Sequence, residues 1–167
     1  MSTITPFDKH DIVHIRGVDH PESIGVGPDG VAYTTGTGCQ VYRLDLEANL
    51  AHEFSSTEAR CLGTAVDAAG NLYAAHTAGD VLKITPGGEV SVYAAPADDG
   101  HFLCTNYPAF DRQGRMYLSD SGDWSGELNG RLYRIEPGGG EAAPWYPEPV
   151  DTPNAIALDA EERHLYF

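Results

Sequence analysis

The 167 residues have the length of one globular domain, and 19 Gly and 11 Pro indicate many turns. Ten Lys and Arg against 25 Asp and Glu give a net charge of −15. This argues against binding to nucleic acid and to anionic membrane surfaces, because both are bound through cationic side chains. The charge is compatible with attraction of a divalent cation, although an acidic surface that only keeps the protein dissolved is the simpler interpretation.

The cysteines and the N-terminus indicate a cytoplasmic location. Cys39, Cys61 and Cys104 are odd in number and lack the spacing of a metal site, which favours reduced thiols in a reducing compartment. The N-terminal residues lack the basic and apolar regions of a secretion signal, and no apolar run reaches the length of a membrane span.

The N-terminal segment, residues 1–19, contains a candidate strand at Asp11–Arg16 with no partner in its own vicinity. After it, one repeat occurs four times, beginning at residues 22, 62, 106 and 154. Each copy predicts a short first strand, a turn rich in Asp and Gly, and a second strand that carries a tyrosine. The aligned tyrosines are Tyr33, Tyr73, Tyr117 and Tyr166.

Two further strands follow in each of the first three copies. Alternating residues predict third strands at 41–46, 81–85 and 131–136, and fourth strands at 51–54, 90–95 and 143–146. No stretch favours a helix of ten residues. Four strands in 40–50 residues is typical of a β-propeller blade, whereas an immunoglobulin-like sandwich has no reason to repeat the block.

The predicted fold is therefore an all-β propeller with four-stranded antiparallel blades, of which about three and a half are present. The predicted blades are 20–58, 59–100 and 101–149, and a fourth begins at 150–167. A propeller needs at least four blades to close, so we expect the chain to be the N-terminal part of a longer protein. Residues 1–19 would then supply a strand to a missing last blade. The alternative is self-association through open blade edges, which pair readily.

The first residue of each repeat, which we call the lead position, points to a metal site. Glu22, Asn106 and Asn154 occupy it in three copies, and Leu62 occupies it in the second. Repeats arranged around an axis would bring one carboxylate and two carboxamides together, as in a site for a hard cation. Polar residues also begin strands to satisfy turn backbone, but three matching positions favour metal. All-oxygen donors predict Ca²⁺, with Mg²⁺, Mn²⁺ or Zn²⁺ as alternatives.

Two further residues are candidate substrate contacts. The loop 120–129 is the longest connection between second and third strands, so Trp124 could form a wall of a pocket, or could simply pack the loop onto its blade. His76 follows its tyrosine on the same predicted face and could relay protons, although a structural hydrogen bond is the commoner role.

Four blocks of the sequence resemble one family: HPESIGVGPDG, NYPAFDRQGRMYLSDSGDW, NGRLYRI and PNAIALDAEERHLYF. They are similar to the senescence-marker-protein, gluconolactonase and luciferin-regenerating-enzyme family, whose members are six-bladed propellers with a catalytic divalent cation in the central channel. The resemblance runs from about residue 20 to the end. It implies a metal-dependent hydrolase of lactones or related esters that acts on a small molecule.

The resemblance also implies roles for single residues. Glu22 matches the family's first-blade glutamate ligand, and Asn106 matches an asparagine that contacts metal or substrate. Asn154 matches a further ligand, although Ala155 replaces the usual glycine. The family's aspartate, assigned as base or nucleophile, lies in a later blade that this sequence does not contain, so no catalytic residue is assigned. Cys104 stands where some lactonases have an arginine.

Two other functions remain open at this point. The chain could be a non-catalytic propeller that binds a ligand or a protein on the same face. It could also resemble strictosidine synthase, a propeller whose pocket need not hold a catalytic metal. For the 167 residues alone, the expectation is weak metal affinity and little turnover.

Overall fold

The computed structural model describes residues 12–96 and 102–167. No membrane-crossing helix occurs in these two ranges. Their secondary structure is entirely β, in the following strands: β1 Gly25–Val26, β2 Ala32–Thr35, β3 Gln40–Asp45, β4 Leu50–Ser56, β5 Cys61–Val66, β6 Leu72–His76, β7 Asp80–Ile84, β8 Val90–Pro96, β9 Thr105–Phe110, β10 Met116–Asp120, β11 Arg131–Ile135, β12 Gly140–Pro144, β13 Ala157–Leu158 and β14 Leu165–Tyr166.

The strands form three antiparallel blades and the hairpin of a fourth. Blade 1 has the order β1-β2-β3-β4, blades 2 and 3 repeat this order with β5–β8 and β9–β12, and β13 pairs with β14. Blades 2 and 3 also join at their outer strands, where β8 and β12 pair in parallel. The prediction of an incomplete propeller with four-stranded antiparallel blades is confirmed.

Most predicted strand bounds agree with the structure to within two residues, and three strands differ by more. The strands β1 and β13 begin at Gly25 and Ala157, each three residues after the lead position of its copy, and β12 is the third. The fourth strand of blade 3 was predicted at 143–146 but lies at Gly140–Pro144. Gly140 has a φ of +96°, a backbone conformation that glycine adopts readily, so the strand begins inside the glycine run that resembled a turn. The parallel partner β8 pairs with this early part of β12.

An aspartate closes the turn between the first two strands in the last three copies of the repeat. The Asp67 carboxylate accepts backbone hydrogen bonds from Ala69 and Asn71, both at 2.9 Å. Asp111 and Asp159 accept equivalent bonds in the next two copies. Blade 1 has Gly27 at this position, where the carboxylate of Asp29 comes close: a Cβ on Gly27 would lie 2.8 Å from its Oδ1.

Apolar side chains between successive blades form the core. One cluster joins Tyr33 and Val41 of blade 1 to Leu72 and Ile84 of blade 2. A second joins blades 2 and 3, with residues such as Tyr73 and Met116, and a third joins Tyr117 of blade 3 to Ile156 of the fourth copy. The repeated tyrosine therefore faces the following blade. A single blade cannot bury its apolar faces alone, so each blade depends on its neighbours.

Hydroxyl groups connect the same blades near their first strands. Thr35 Oγ1 of blade 1 donates to Cys61 O of blade 2 at 2.9 Å. Thr105 Oγ1 of blade 3 donates to His76 O of blade 2 at 2.7 Å. Ser119 Oγ of blade 3 donates to Asn154 O of the fourth copy at 2.6 Å. Since Thr35, Thr105 and Ser119 are all buried, these bonds replace contacts with water and fix the position of one blade on the next.

The N-terminal segment lies on the outer strand of blade 1. Asp11 falls outside the described residues, and of the predicted strand only Arg16 forms a bridge, parallel to Leu50 of β4. This bridge matches the parallel pair between Ala94 of β8 and Gly140 of β12. Residues 12–16 therefore lie beside β4 of blade 1 as β8, the outer strand of blade 2, lies beside β12 of blade 3. Their role in closing a last blade stays a prediction.

The turn aspartates make the fold sensitive to acid. Burial acts to raise the pKa of Asp111, but hydrogen bonds from Arg115 and Gln113 outweigh it and lower the pKa below its usual value. A lowered pKa in the folded state means that the ionised carboxylate stabilises the fold. This stabilisation is complete above the unfolded pKa of about 3.9 and disappears as the pH falls towards the folded value.

We therefore expect Asp111→Asn to lower the free energy of unfolding at neutral pH by about 1.5–3 kcal/mol, the usual worth of hydrogen bonds to a charged group. The variant should also lose less stability than the parent between pH 5 and the acid limit, measured by thermal unfolding at each pH. Asp29→Asn, at an exposed turn of blade 1, is the matched control and should change little. Identical acid dependence in parent and Asp111→Asn would contradict this account.

Candidate functional site

The lead positions of successive copies are neighbours in the structure. Ser23, next to Glu22, donates from Oγ to Leu62 O at 2.9 Å. A Cβ on Gly63 would lie 2.6 Å from Tyr107 Cα and closer still to Asn106 O, so the second and third copies touch there. The third and fourth copies meet through Ser119 and Asn154, as described above. Successive copies are therefore in contact at or beside their lead positions.

Asn106 has a fixed orientation. Its Nδ2 lies 2.8 Å from Ser121 Oγ, and Ser121 Oγ lies 2.8 Å from Pro153 O. The single hydroxyl proton of Ser121 is donated to the Pro153 carbonyl, so Ser121 can only accept from Asn106. The carboxamide nitrogen of Asn106 must point at Ser121, and its oxygen points away from it. Because Asn106 is 5% exposed, this orientation is set by the packed interior.

The Glu22 side chain is held by an ion pair rather than by buried hydrogen bonds. Its carboxylate forms an ion pair with the guanidinium of Arg60, and the two side chains are 45% and 31% exposed. Exposed ion pairs contribute about 0–1 kcal/mol, so a divalent cation could displace Arg60 at little cost. Nε of Arg60 is buried and makes no hydrogen bond in the described part of the chain. The Glu22 carboxylate is thus charge-compensated without a metal.

Asn154 is exposed, and its backbone rather than its side chain is anchored, through the bond from Ser119. The prediction that Glu22, Asn106 and Asn154 hold one ion stays a prediction. Within residues 12–96 and 102–167, no three His, Cys, Asp or Glu side chains form a group that could hold a metal. A cation at the lead positions would therefore depend on the amide oxygens of the two asparagines, which suit Ca²⁺ better than Zn²⁺.

Both ring nitrogens of His76 are engaged. Nε2 accepts a hydrogen bond from Ala59 N at 3.0 Å, so the ring proton sits on Nδ1, which lies 2.6 Å from Asp80 Oδ1. His76 lines a cavity of about 540 Å³ between blades 1 and 2, together with Glu58 and Asp80. A substrate or proton-relay role for His76 would require one of these bonds to break.

Trp124 lies at the surface of the loop between β10 and β11. It is 63% exposed and has a φ of +60°, an uncommon value for a residue with a side chain. The loop is ordered by its own polar groups: Asp123 Oδ1 accepts from Asn129 Nδ2 at 2.6 Å and from Ser125 N at 3.0 Å. These hydrogen bonds lower the pKa of Asp123 to about 2. Trp124 is available to a ligand, and its contact with substrate stays a prediction.

Asp120 has a structural role at the end of β10. Its buried carboxylate accepts from the backbone N–H groups of Leu103 and Cys104, both at 2.7 Å, and of Gly122 at 3.0 Å. His76 plays the matching part in blade 2 through Ala59. The last residue of the second strand thus anchors the chain just before the first strand in both blades.

Sequence reasoning missed two residues of this region, Arg60 and Ser121. Arg60 stands two residues before the lead position of the second copy, which has no oxygen donor, and that position in the repeat was the available signal. Ser121 follows directly on the second strand of blade 3. Serine is so common before loops that its bridging role could be seen only in the structure.

We expect Ser121→Ala to cost about 1–3 kcal/mol of unfolding free energy, because it leaves Asn106 Nδ2 and Pro153 O without their partner in a buried place. Chemical denaturation measures this loss. Ser125→Ala, a change of the same size in the exposed loop, should lie within about 0.5 kcal/mol of the parent. Equal losses in both variants would refute the bridging role.

The fold defines the class of protein, a β-propeller. The family model for the SMP-30/gluconolactonase/LRE-like region matches residues 20–167. The chain belongs to this family, as the sequence motifs predicted. Among curated proteins, none matches this sequence.

Solved structures with the same fold are distant in sequence. A gluconolactonase from Xanthomonas campestris has a TM-score of 0.77 at 16% identity, over 89% of this chain and 54% of that one. A streptogramin B lyase has a TM-score of 0.70 at 18% identity, over 93% and 50%. The chain thus spans about half the length of these two proteins. The computationally designed Ika4 protein has a TM-score of 0.65 at 8% identity, over 94% and 97%.

Proposed function

We propose that this chain carries part of the metal site of a divalent-metal-dependent hydrolase of lactones or related esters. Family membership supports the reaction class. The single observation that supports the site is the fixed orientation of the Asn106 carboxamide. Its nitrogen points at Ser121, and its oxygen points away from Ser121, where it could bind a cation. The proposed ligands are Glu22, Asn106 and Asn154, and the proposed ion is Ca²⁺ or another divalent cation.

The candidate residues would have different roles in binding the cation and the substrate. A bound divalent cation would act as a Lewis acid on the carbonyl oxygen of the substrate. Asn106 would supply a pre-oriented neutral oxygen, and Glu22 would supply the negative charge once it exchanges Arg60 for the ion. Trp124, exposed at the adjoining loop, would offer an apolar surface to a small substrate. The carboxylate that activates water is not assigned within this sequence.

A second candidate function, a non-catalytic module that binds a ligand or a protein, is favoured by the Glu22–Arg60 ion pair. This pair neutralises the only carboxylate among the lead positions without any metal. In a propeller without a metal, Arg60 would be the positive partner of this carboxylate. The two functions differ in whether the chain takes up a divalent cation at Glu22.

Calcium titration followed by calorimetry tests the proposal. We expect Glu22→Gln to weaken Ca²⁺ binding by at least about tenfold, or ~1.4 kcal/mol, because it removes the only negative ligand. Glu47→Gln is the matched control: the same change on the same blade, in the exposed turn between β3 and β4. Lactone hydrolysis, with and without a chelator, is measured on the same samples. No Ca²⁺ uptake, or equal uptake by parent and Glu22→Gln, would favour the binding module.

The Arg60 side chain gives a second test, in which affinity should rise. Arg60 and a cation compete for one carboxylate, so Arg60→Gln should tighten Ca²⁺ binding by up to about fivefold, the worth of an exposed ion pair. The gain should disappear in the double variant that also carries Glu22→Gln. Unchanged affinity in both Arg60→Gln and Glu22→Gln would show that a bound cation does not use Glu22.

A further inference from the structure

A cavity of about 630 Å³ opens between blades 2 and 3, on the face opposite the lead positions. Its lining includes the turns at Asp67 and Asp111, which follow the first strands of these blades, and Gly138 in the turn between β11 and β12. We call it the turn-side cavity. Both blades have all four strands, and the volume is within the range of small-molecule sites, about 300–1,000 Å³. The cavity is a candidate ligand site separate from the proposed metal site.

Aromatic side chains form the inner wall of the turn-side cavity. The ring of Tyr73 meets Tyr93 and Phe110 edge to face, with centroid distances of 4.6 and 4.9 Å. The Tyr73 hydroxyl donates to Asp67 Oδ2 at 2.9 Å, which fixes the ring. A Cβ on Gly139 would lie 2.7 Å from Cδ2 of Tyr93, so the glycine turn packs closely on that ring. The wall is therefore pre-formed, and it suits an aromatic group of a ligand.

Lys83 supplies a positive charge to this cavity. It lies directly opposite Tyr73 in the pairing of β6 with β7, and its Nζ is 5.9 Å from the centroid of the Tyr73 ring. The side chain is half-buried. Within residues 12–96 and 102–167, Lys83 forms no ion pair with a carboxylate. Its ammonium group is thus free to bind an anion.

The other charged side chains of the cavity already have partners. Asp111 accepts a hydrogen bond from Arg115 Nε at 2.6 Å. Arg112 Nε lies 3.7 Å from a carboxylate oxygen of Glu162. The carboxylate of Asp67 accepts hydrogen bonds from the backbone and the side chain of its own turn. Lys83 is therefore the group of the cavity that is left to balance the charge of a ligand.

Comparison of the three blades singles out Lys83 as well. In each blade the repeat tyrosine pairs across the strands with a cation, in turn Arg43, Lys83 and Arg134. Two residues after this cation stands an acid in blades 1 and 3, Asp45 and Glu136, and Arg134 Nε lies 2.9 Å from Glu136 Oε1. Blade 2 has Thr85 at this position. The cation that lines the turn-side cavity thus lacks the acidic neighbour of its two counterparts.

We propose that the turn-side cavity binds a small aromatic carboxylate. The carboxylate pairs with Lys83 Nζ, and the aromatic ring lies against the wall formed by Tyr73, Tyr93 and Phe110. One cation matches one negative charge. A phosphate monoester would bring about −1.5 to −2 into a protein whose net charge is already −15, which disfavours it. A neutral aromatic compound of the same shape would leave the ion pair unmade.

Calorimetric titration with phenylacetate tests this site, with the neutral phenylacetamide as the comparison ligand. The protein is first freed of divalent cations, so that the carboxylate cannot bind through a metal at the lead positions. We expect a dissociation constant of the order of 1 mM for phenylacetate, a ligand of about ten non-hydrogen atoms. Phenylacetamide should bind about five- to tenfold more weakly. Equal affinity for the two ligands, or no uptake of phenylacetate, would overturn the proposal.

Two variants at Lys83 and a matched control assign the contact. Lys83→Gln should weaken phenylacetate binding about five- to tenfold and remove the preference over the amide, whereas Lys83→Arg, which keeps the charge, should retain it. Arg43→Gln removes the corresponding cation of blade 1 and should bind phenylacetate like the parent. Unchanged affinity in Lys83→Gln, or an equal loss in Arg43→Gln, would refute the assignment.

Amide NMR spectra of the same samples locate the ligand and report whether each variant is folded. Phenylacetate should shift the signals of the turn at 67–70 and of Gly138, which line or adjoin the turn-side cavity, and leave those of the lead positions unchanged. Shifts confined to the lead positions would contradict the proposal, because the ligand would then occupy the other face.

Discussion

Buried contacts between successive blades hold this molecule together. No blade can bury its apolar faces by itself, so the repeat tyrosines of the first three copies find their partners in the next copy. The hydroxyls of Thr35, Thr105 and Ser119 add directional bonds to carbonyls across the same seams. Apolar packing supplies most of the stabilisation, and the hydroxyl bonds determine the relative position of the blades, since a misplaced blade would leave buried polar groups unpaired.

The residues of the candidate site depend on these inter-blade contacts to different degrees. The orientation of Asn106 follows from Ser121, which is itself oriented by a carbonyl of the neighbouring copy. That part of the site is rigid because moving it would break buried hydrogen bonds. Glu22 is instead held by one exposed ion pair with Arg60, so it can change partner at little cost. The two candidate ligands therefore differ: the Asn106 amide oxygen has a fixed orientation, and the Glu22 carboxylate can change partner.

The sequence by itself determined the architecture and the family. The tyrosine spacing and the Asp and Gly turns identified the blades, because strand periodicity and turn chemistry are local properties. The lead positions could be assigned by copy for the same reason. The strand of blade 3 that begins at Gly140 was misplaced, because a glycine run gives the same local signal in a turn and in a strand with positive φ.

Only the tertiary structure decided which side chains of the site are free to act. That Arg60 pairs with Glu22 across 38 residues, and that Ser121 turns the Asn106 carboxamide, are contacts between different blades. The same is true of His76, whose ring nitrogens are taken by Ala59 and Asp80. Such contacts depend on how one blade is placed on the next, and a linear pattern of residue types carries no information about that placement.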